Sequence, residues 1–174
     1  MSGAREGRGV GASVRMTTYR HKVFAYITNR GRLLVFTHPL APEAGVQVPA
    51  GTIEEGEDPE VAVLREAWEE TGLHELTLVG LLGERVFDAS PLGRDELNFR
   101  RFYHLKCAGD PPDVWRHFER YPSDGTTVPI PFDFFWARLP HEAPPLVADH
   151  DACIPQLLTA LETDVSSYSR GQED

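Results

Sequence analysis

Asp58-Pro59 and Gly72 bracket the segment whose conformation the residues settle most firmly. Asp58 can cap a helix with its carboxylate, Pro59 suits the first helical position, and Gly72 suits a left-handed end. Between them Glu66, Glu69 and Glu70 stand at i, i+3 and i+4, so three carboxylates share one stripe. Val61, Leu64 and Trp68 fall on roughly the opposite side and are expected to dock on a sheet. Like charges at these spacings cost roughly a few tenths of a kcal/mol per exposed pair. A helix built for stability alone would interleave Lys or Arg, and only Arg65 lies alongside. Glu57 joins the cluster from the preceding loop. Hard oxygen donors converging without Cys or His suit Mg²⁺ or Mn²⁺. A solvated acidic face is the competing explanation.

The rest of the chain supplies strands for that helix. Val23, Ala25 and Ile27 alternate with Lys22, Phe24, Tyr26 and Thr28; Asn29-Arg30-Gly31 makes a turn, and Leu33 to Thr37 completes a hairpin. Val46-Gln47-Val48 reads as a short strand that Pro49-Ala50-Gly51 breaks. Further strands are expected at residues 77–87, 97–107 and 132–139, a helical turn at Trp115-Arg116-His117-Phe118, and a closing helix at 151–163. The expected organisation is a flexible tail over 1–17, one domain over 18–163 and a frayed tail over 164–174. Arg5, Arg8 and Arg15 lie in the first tail without the hydrophobic centre of a secretory signal. Residues 108–131 form a long Pro- and Asp-containing stretch expected to shape specificity.

Charge narrows the partners. Against 17 Lys+Arg stand 27 Asp+Glu, a formal net charge of −10 over 174 residues. Such a chain lacks the electrostatic footprint of a nucleic-acid binder and will not adhere to an anionic membrane through bulk charge. No apolar run approaches the ~18 residues of a membrane-spanning helix. A phosphate-bearing substrate would need a metal ion or a local basic patch. Asn98, Arg100, His104 and Lys106 supply one candidate patch, on one face of a strand and interrupted only by Phe102. Phe24, Tyr26 and Phe36 could stack on a base, although core packing is the simpler reading. His38, His117, His141 and His150 have no zinc-like spacing. Cys107 and Cys153 form no disulfide framework and fit a reducing, cytoplasmic compartment.

Residues 51–73 resemble the Nudix box, Gly-x5-Glu-x7-Arg-Glu-U-x-Glu-Glu-x-Gly-U, where U is a bulky aliphatic. Gly51, Glu57, Arg65, Glu66, Glu69, Glu70, Gly72 and Leu73 fit in register. Seven strict identities arise by chance at on the order of 10⁻⁸ per starting position. Ala67 occupies the first aliphatic slot, and Ala50 replaces the first glycine of the Pro-Gly-Gly often seen before the box. Neither departure removes a ligand.

The resemblance implies an α/β (α+β) fold, an α/β/α sandwich around a mixed sheet. It implies hydrolysis of the pyrophosphate bond in a nucleoside diphosphate linked to another moiety, with Mg²⁺ or Mn²⁺ as cofactor. Carried over by position, Glu66, Glu69, Glu70 and the Gly51 carbonyl are metal ligands. Glu57 is a supporting carboxylate, and Arg65 orients a glutamate. Glu66 or Glu69 is the nearest base, with Glu96 or Glu142 as alternatives from later in the chain. Arg100, His104 and Lys106 are candidate substrate contacts. The expected partner is a small nucleotide, without nucleic acid or membrane and with homodimerisation open. The alternative is a Nudix domain that binds a nucleotide as a sensor or scaffold and does not hydrolyse it.

Overall fold

A computed structural model describes residues 17–119 and 128–170. The expected N-terminal tail up to residue 16, the last four residues and part of the 108–131 stretch lie outside them. β1 (Thr18–Asn29) turns through Arg30-Gly31 into β2 (Arg32–Thr37), with Asn29 facing Arg32. Arg30 and Gly31 have φ of 51° and 73°, the left-handed pair that a two-residue hairpin turn requires. β3 (Ala50–Thr52) and α1 (Pro59–Thr71) follow, then β4 (Leu76–Asp88), β5 (Glu96–Cys107), β6 (Val114–Glu119), β7 (Ile130–Arg138) and α2 (Ile154–Arg170).

The strands form a seven-stranded sheet in the order β4-β5-β1-β2-β7-β6, with β3 on β1. β1 and β5 run parallel from Thr18–Glu96 to Thr28–Lys106, and the other named pairs are antiparallel, so the sheet is mixed. Alternation along β1 divides the core. Val23, Ala25 and Ile27 pack with Ala62, Val63 and Ala67 of α1, while Phe24 and Tyr26 pack with Cys153 and Leu157 on the α2 side. This is the expected α/β/α sandwich.

Four local expectations change. Val46 and Gln47 make only isolated bridges, and the third strand is Ala50–Thr52, where a break was expected. Long-range pairing of Lys22 with Thr52, Val23 with Gly51 and Phe24 with Ala50 overrides the local Pro-Ala-Gly signal. Residues 115–118 are strand, not a helical turn, because Trp115 and His117 lie opposite Phe134 and Phe132 of β7. The closing helix begins at Ile154, which puts Pro155 in its first turn, where a missing N–H costs nothing. It continues to Arg170 rather than Thr163, since no Gly or Pro interrupts 164–170.

Trp68 and Val61 are not docked on the sheet. They are 48% and 58% exposed, and of the expected apolar face only Leu64 reaches the core, as a partly buried residue. The buried side of α1 carries Ala62, Val63, Glu66, Ala67, Glu70 and Thr71. At about 100° per residue these span half the helix, with two of the three stripe carboxylates at their centre.

Candidate active site

Both ends of α1 are built as the residues require. The Asp58 carboxylate accepts from Glu60 N at 2.8 Å, and Gly72, at φ 72°, donates to Trp68 O at 2.9 Å. Between these ends the helix turns its carboxylates toward β3. Gly51 lies against Glu66, and a Cβ at residue 51 would overlap that carboxyl group. Glu70 Oε2 accepts from Ala50 N at 3.0 Å. Glu66 and Glu70 are 7% and 6% exposed, while the Glu69 side chain remains 40% exposed.

Arg65 gathers the remaining carboxylates. Its Nε and Nη2 donate to the two oxygens of Glu57, each at 2.8 Å, and Nη2 also reaches Thr52 O at 3.1 Å. Nη1 donates to Glu66 Oε1 at 2.9 Å and to Glu69 Oε2 at 3.2 Å. Glu57 in turn accepts from Glu54 N at 2.9 Å. The planar five-donor fork of arginine matches this set, which a lysine ammonium could not. Hydrogen bonding to Arg65 pulls the Glu57 carboxyl down to about 2. Burial pushes Glu66 upward, with Arg65 opposing it. Lys22, in β1 opposite Thr52, is lowered by burial while Glu96, Glu70 and Glu66 pull it back.

The donor set fits a hard divalent cation. Among the described residues no three His, Cys, Asp or Glu side chains form a ready cage. Mg²⁺ does not need one, since it is commonly held by one or two carboxylates together with substrate phosphates. Glu66 and Glu70 flank the Ala50-Gly51 backbone and supply oxygen only.

Gly51, Glu57, Arg65, Glu66, Glu69 and Glu70 therefore converge. The expected basic row does not join them. Asn98, Arg100 and His104 are 3%, 6% and 2% exposed on the face opposite α1. The Arg100 guanidinium lies 3.6 Å from the Phe87 ring centroid and 4.9 Å from that of Phe24, with Nη1 on Ala148 O. Burial lowers its pKa to about 10. His104 Nε2 contacts Thr28 Oγ1 at 2.8 Å, and Lys106 is half-buried at the end of the same row. Of the alternative bases, Glu96 is held by Arg20 at 2.7 Å and Glu142 lies 3.8 Å from Arg138. Phe24, Tyr26 and Phe36 are core residues at 2%, 0% and 3% exposure.

Two residues near the site carried no local signal. Lys22 stands beside Arg100 on the face opposite α1 and feels Glu66 and Glu70 only as charges. His150 accepts from Val48 N through Nδ1 at 3.2 Å, which anchors the chain just before Ala50 and Gly51.

The NUDIX domain profile matches residues 18–126. Nudix hydrolase 26, chloroplastic, of Arabidopsis thaliana is 35% identical over 129 residues, covering 68% of this chain and 57% of that protein, so the chain spans little more than half of its relative. The structure of a MutT NUDIX hydrolase from Burkholderia pseudomallei superposes with a TM-score of 0.55 at 24% identity, over 80% of this chain and 98% of that one. A UDP-X diphosphatase superposes with a TM-score of 0.58 at 18% identity, over 87% of this chain and 66% of that one. At these identities the two structures share the fold. With the profile covering most of the chain and the box residues gathered around one arginine, this protein belongs to the Nudix family.

Proposed function

We propose that the protein hydrolyses the pyrophosphate bond of a nucleoside diphosphate linked to another moiety, with Mg²⁺ or Mn²⁺ as cofactor. The observation that carries this reading is Arg65 holding Glu57, Glu66 and Glu69 together beside Gly51. Glu66, Glu70 and the Gly51 carbonyl would hold the metal, with Glu69 as a further ligand directly or through water. A bound divalent ion would neutralise the diphosphate and acidify a water molecule.

The chain's own residues supply the rest. Glu69, the most exposed of the three Arg65-held carboxylates, accepts the proton of the attacking water. The water oxygen bonds to phosphorus as the bridging P–O bond breaks, and the bridging oxygen leaves with the second phosphate. Arg65 keeps Glu66 and Glu69 in place, and Glu57 keeps Arg65 in place. Arg100, His104 and Lys106 share the face of β5 opposite α1, with Arg100 bonded to the Ala148 carbonyl.

Among the described residues no helix is long and apolar enough to cross a membrane. The free, buried Cys107 and Cys153 favour a cytoplasmic setting.

The test is hydrolysis of ADP-ribose, NADH, dinucleoside polyphosphates, nucleoside triphosphates and sugar nucleotides. Activity should vanish in EDTA and return with Mg²⁺ or Mn²⁺. Full activity in metal-free protein, or none on any substrate with metal, would overturn the proposal; nucleotide binding without turnover would favour a sensor.

A further inference from the structure

Three aromatic side chains that the proposed chemistry leaves unused stand together beyond the edge of α1. Strand side chains alternate, so Tyr19 and His21 share the face of Val23, Ala25 and Ile27, which packs under α1. In β5, Phe99 and Arg101 share the face of Tyr103 and Leu105. β4 brings Val86 opposite Phe99 and Glu84 opposite Arg101.

The rings are close to parallel. His21 and Phe99 have centroids 5.1 Å apart at 18°, and Tyr19 and Phe99 lie 6.0 Å apart at 25°. They are not core: Tyr19 and Val86 are each 63% exposed, and His21 is exposed beside them. His21, Glu84, Val86, Phe99 and Arg101 line one cleft. On its rim Arg101 Nε donates to Glu84 Oε1 at 2.8 Å, with the side chains 30% and 60% exposed. A donor fork and a carboxylate therefore stand side by side next to a stack of near-parallel rings whose exposed member in the cleft is His21.

The cleft opens on the same side of the sheet as Glu66. Val23 pairs with Gly51, and His21 lies two residues further, about 7 Å along the strand. Ile53 N donates to His21 O at 2.9 Å, so the backbone that leaves β3 runs directly from one region to the other. This separation is comparable with that between the phosphate and the base of a single nucleotide.

We propose that this cleft receives the nucleobase of the substrate, which stacks on His21, the exposed ring that Phe99 backs, and presents its polar edge to Arg101 and Glu84. This rests on the pyrophosphohydrolase reading and says where the aromatic end of that substrate goes. Stacking tolerates any base, because each has a π-face. The adjacent donor and acceptor favour a base edge that carries both.

AMP and ribose 5-phosphate test the cleft without being consumed, since neither contains a pyrophosphate bond. In Mg²⁺, calorimetric titration should give AMP about tenfold or more tighter binding than ribose 5-phosphate. His21→Ala, at an exposed position, should weaken AMP about tenfold and leave ribose 5-phosphate unchanged. Phe99→Leu, which preserves apolar bulk but removes the ring that His21 stacks on, should weaken AMP in the same direction, and ring-current shifts on bound AMP should disappear in His21→Ala. In turnover, both variants should raise KM more than they lower kcat. AMP binding no tighter than ribose 5-phosphate, or insensitive to both substitutions, would overturn the inference. Ring-dependent AMP binding by a protein that hydrolyses nothing would sink the enzymatic reading and leave the cleft standing. Turnover with ring-independent binding would do the opposite.

Discussion

The carboxyl group of Glu66 occupies the space that a Cβ on Gly51 would fill. This contact joins α1 to β3 at the point where the box glycine and the first glutamate of the acidic stripe meet. It explains why residue 51 has no side chain: its φ is not in the left-handed region, so the requirement is room rather than backbone freedom.

Gly51→Ala should therefore displace Glu66 rather than unfold the strand. A misplacement of about 1 Å is enough to reduce turnover about 10²-fold. The check is kcat in Mg²⁺ beside thermal unfolding in EDTA. Normal turnover would mean that the contact is incidental.

Arg65→Lys keeps the charge and loses the fork. The two bonds to Glu57 and the two from Nη1 cannot all be made by one ammonium. Turnover should fall at least ~10-fold, in the range that a charge-assisted network member can contribute. Metal titration should show weaker affinity in the variant. Unchanged affinity and turnover would reduce Arg65 to a surface ion pair.

The contrast between Gly51 and Trp68 marks how far the residues could be read in advance. Asp58, Pro59 and Gly72 act within a single helix, so their signals are local and the ends of α1 follow from them. The register of Gly51 against Val23 is long-range, and no spacing in the chain announces it. Hydrophobicity alone sends Trp68 inward and Glu66 outward, and the structure reverses both. Burial of Glu66 and Glu70 is tolerable because Arg65 and the Ala50 N–H bond them. Trp68 satisfies its indole N–H on His74 at 2.6 Å instead. The row from Asn98 to Lys106 was readable as one strand face, but which face meets α2 depended on partners far along the chain.

Glu66→Gln and Trp68→Ala follow from that reversal. Glu66→Gln removes a buried charge whose burial already opposes ionisation, so metal-free stability should hold or rise. Turnover should drop at least ~10²-fold. Trp68→Ala removes a half-exposed ring and should cost about 1 kcal/mol, against the ~3–5 kcal/mol of a buried aromatic. Its turnover should stay near normal. A Glu66→Gln protein that melts much earlier but turns over normally would make the stripe structural.

His150 should make the fold sensitive to mild acid. Burial holds its pKa at about 3, with Arg100 and Lys22 also opposing protonation, against an ordinary value of 6.5. Its neighbours hold the ring in that buried position. Nδ1 accepts from Val48 N, the ring meets Phe24 edge-on at 4.8 Å, and the backbone carbonyl takes the Tyr26 hydroxyl at 2.7 Å. In the unfolded chain the imidazole binds a proton below about pH 6.5. Between that value and about 3 the unfolded state thus holds one more proton than the folded state. Stability is complete above the unfolded pKa and declines as pH falls, with a limiting slope of about 1.4 kcal/mol per pH unit. His150→Asn retains an acceptor and does not titrate. Urea unfolding at pH 5 and pH 7 should give the natural protein a larger loss on acidification than the variant, by close to one proton's slope. Equal losses would mean that the imidazole is protonated in the fold, and the Val48 hydrogen bond could not then be as described.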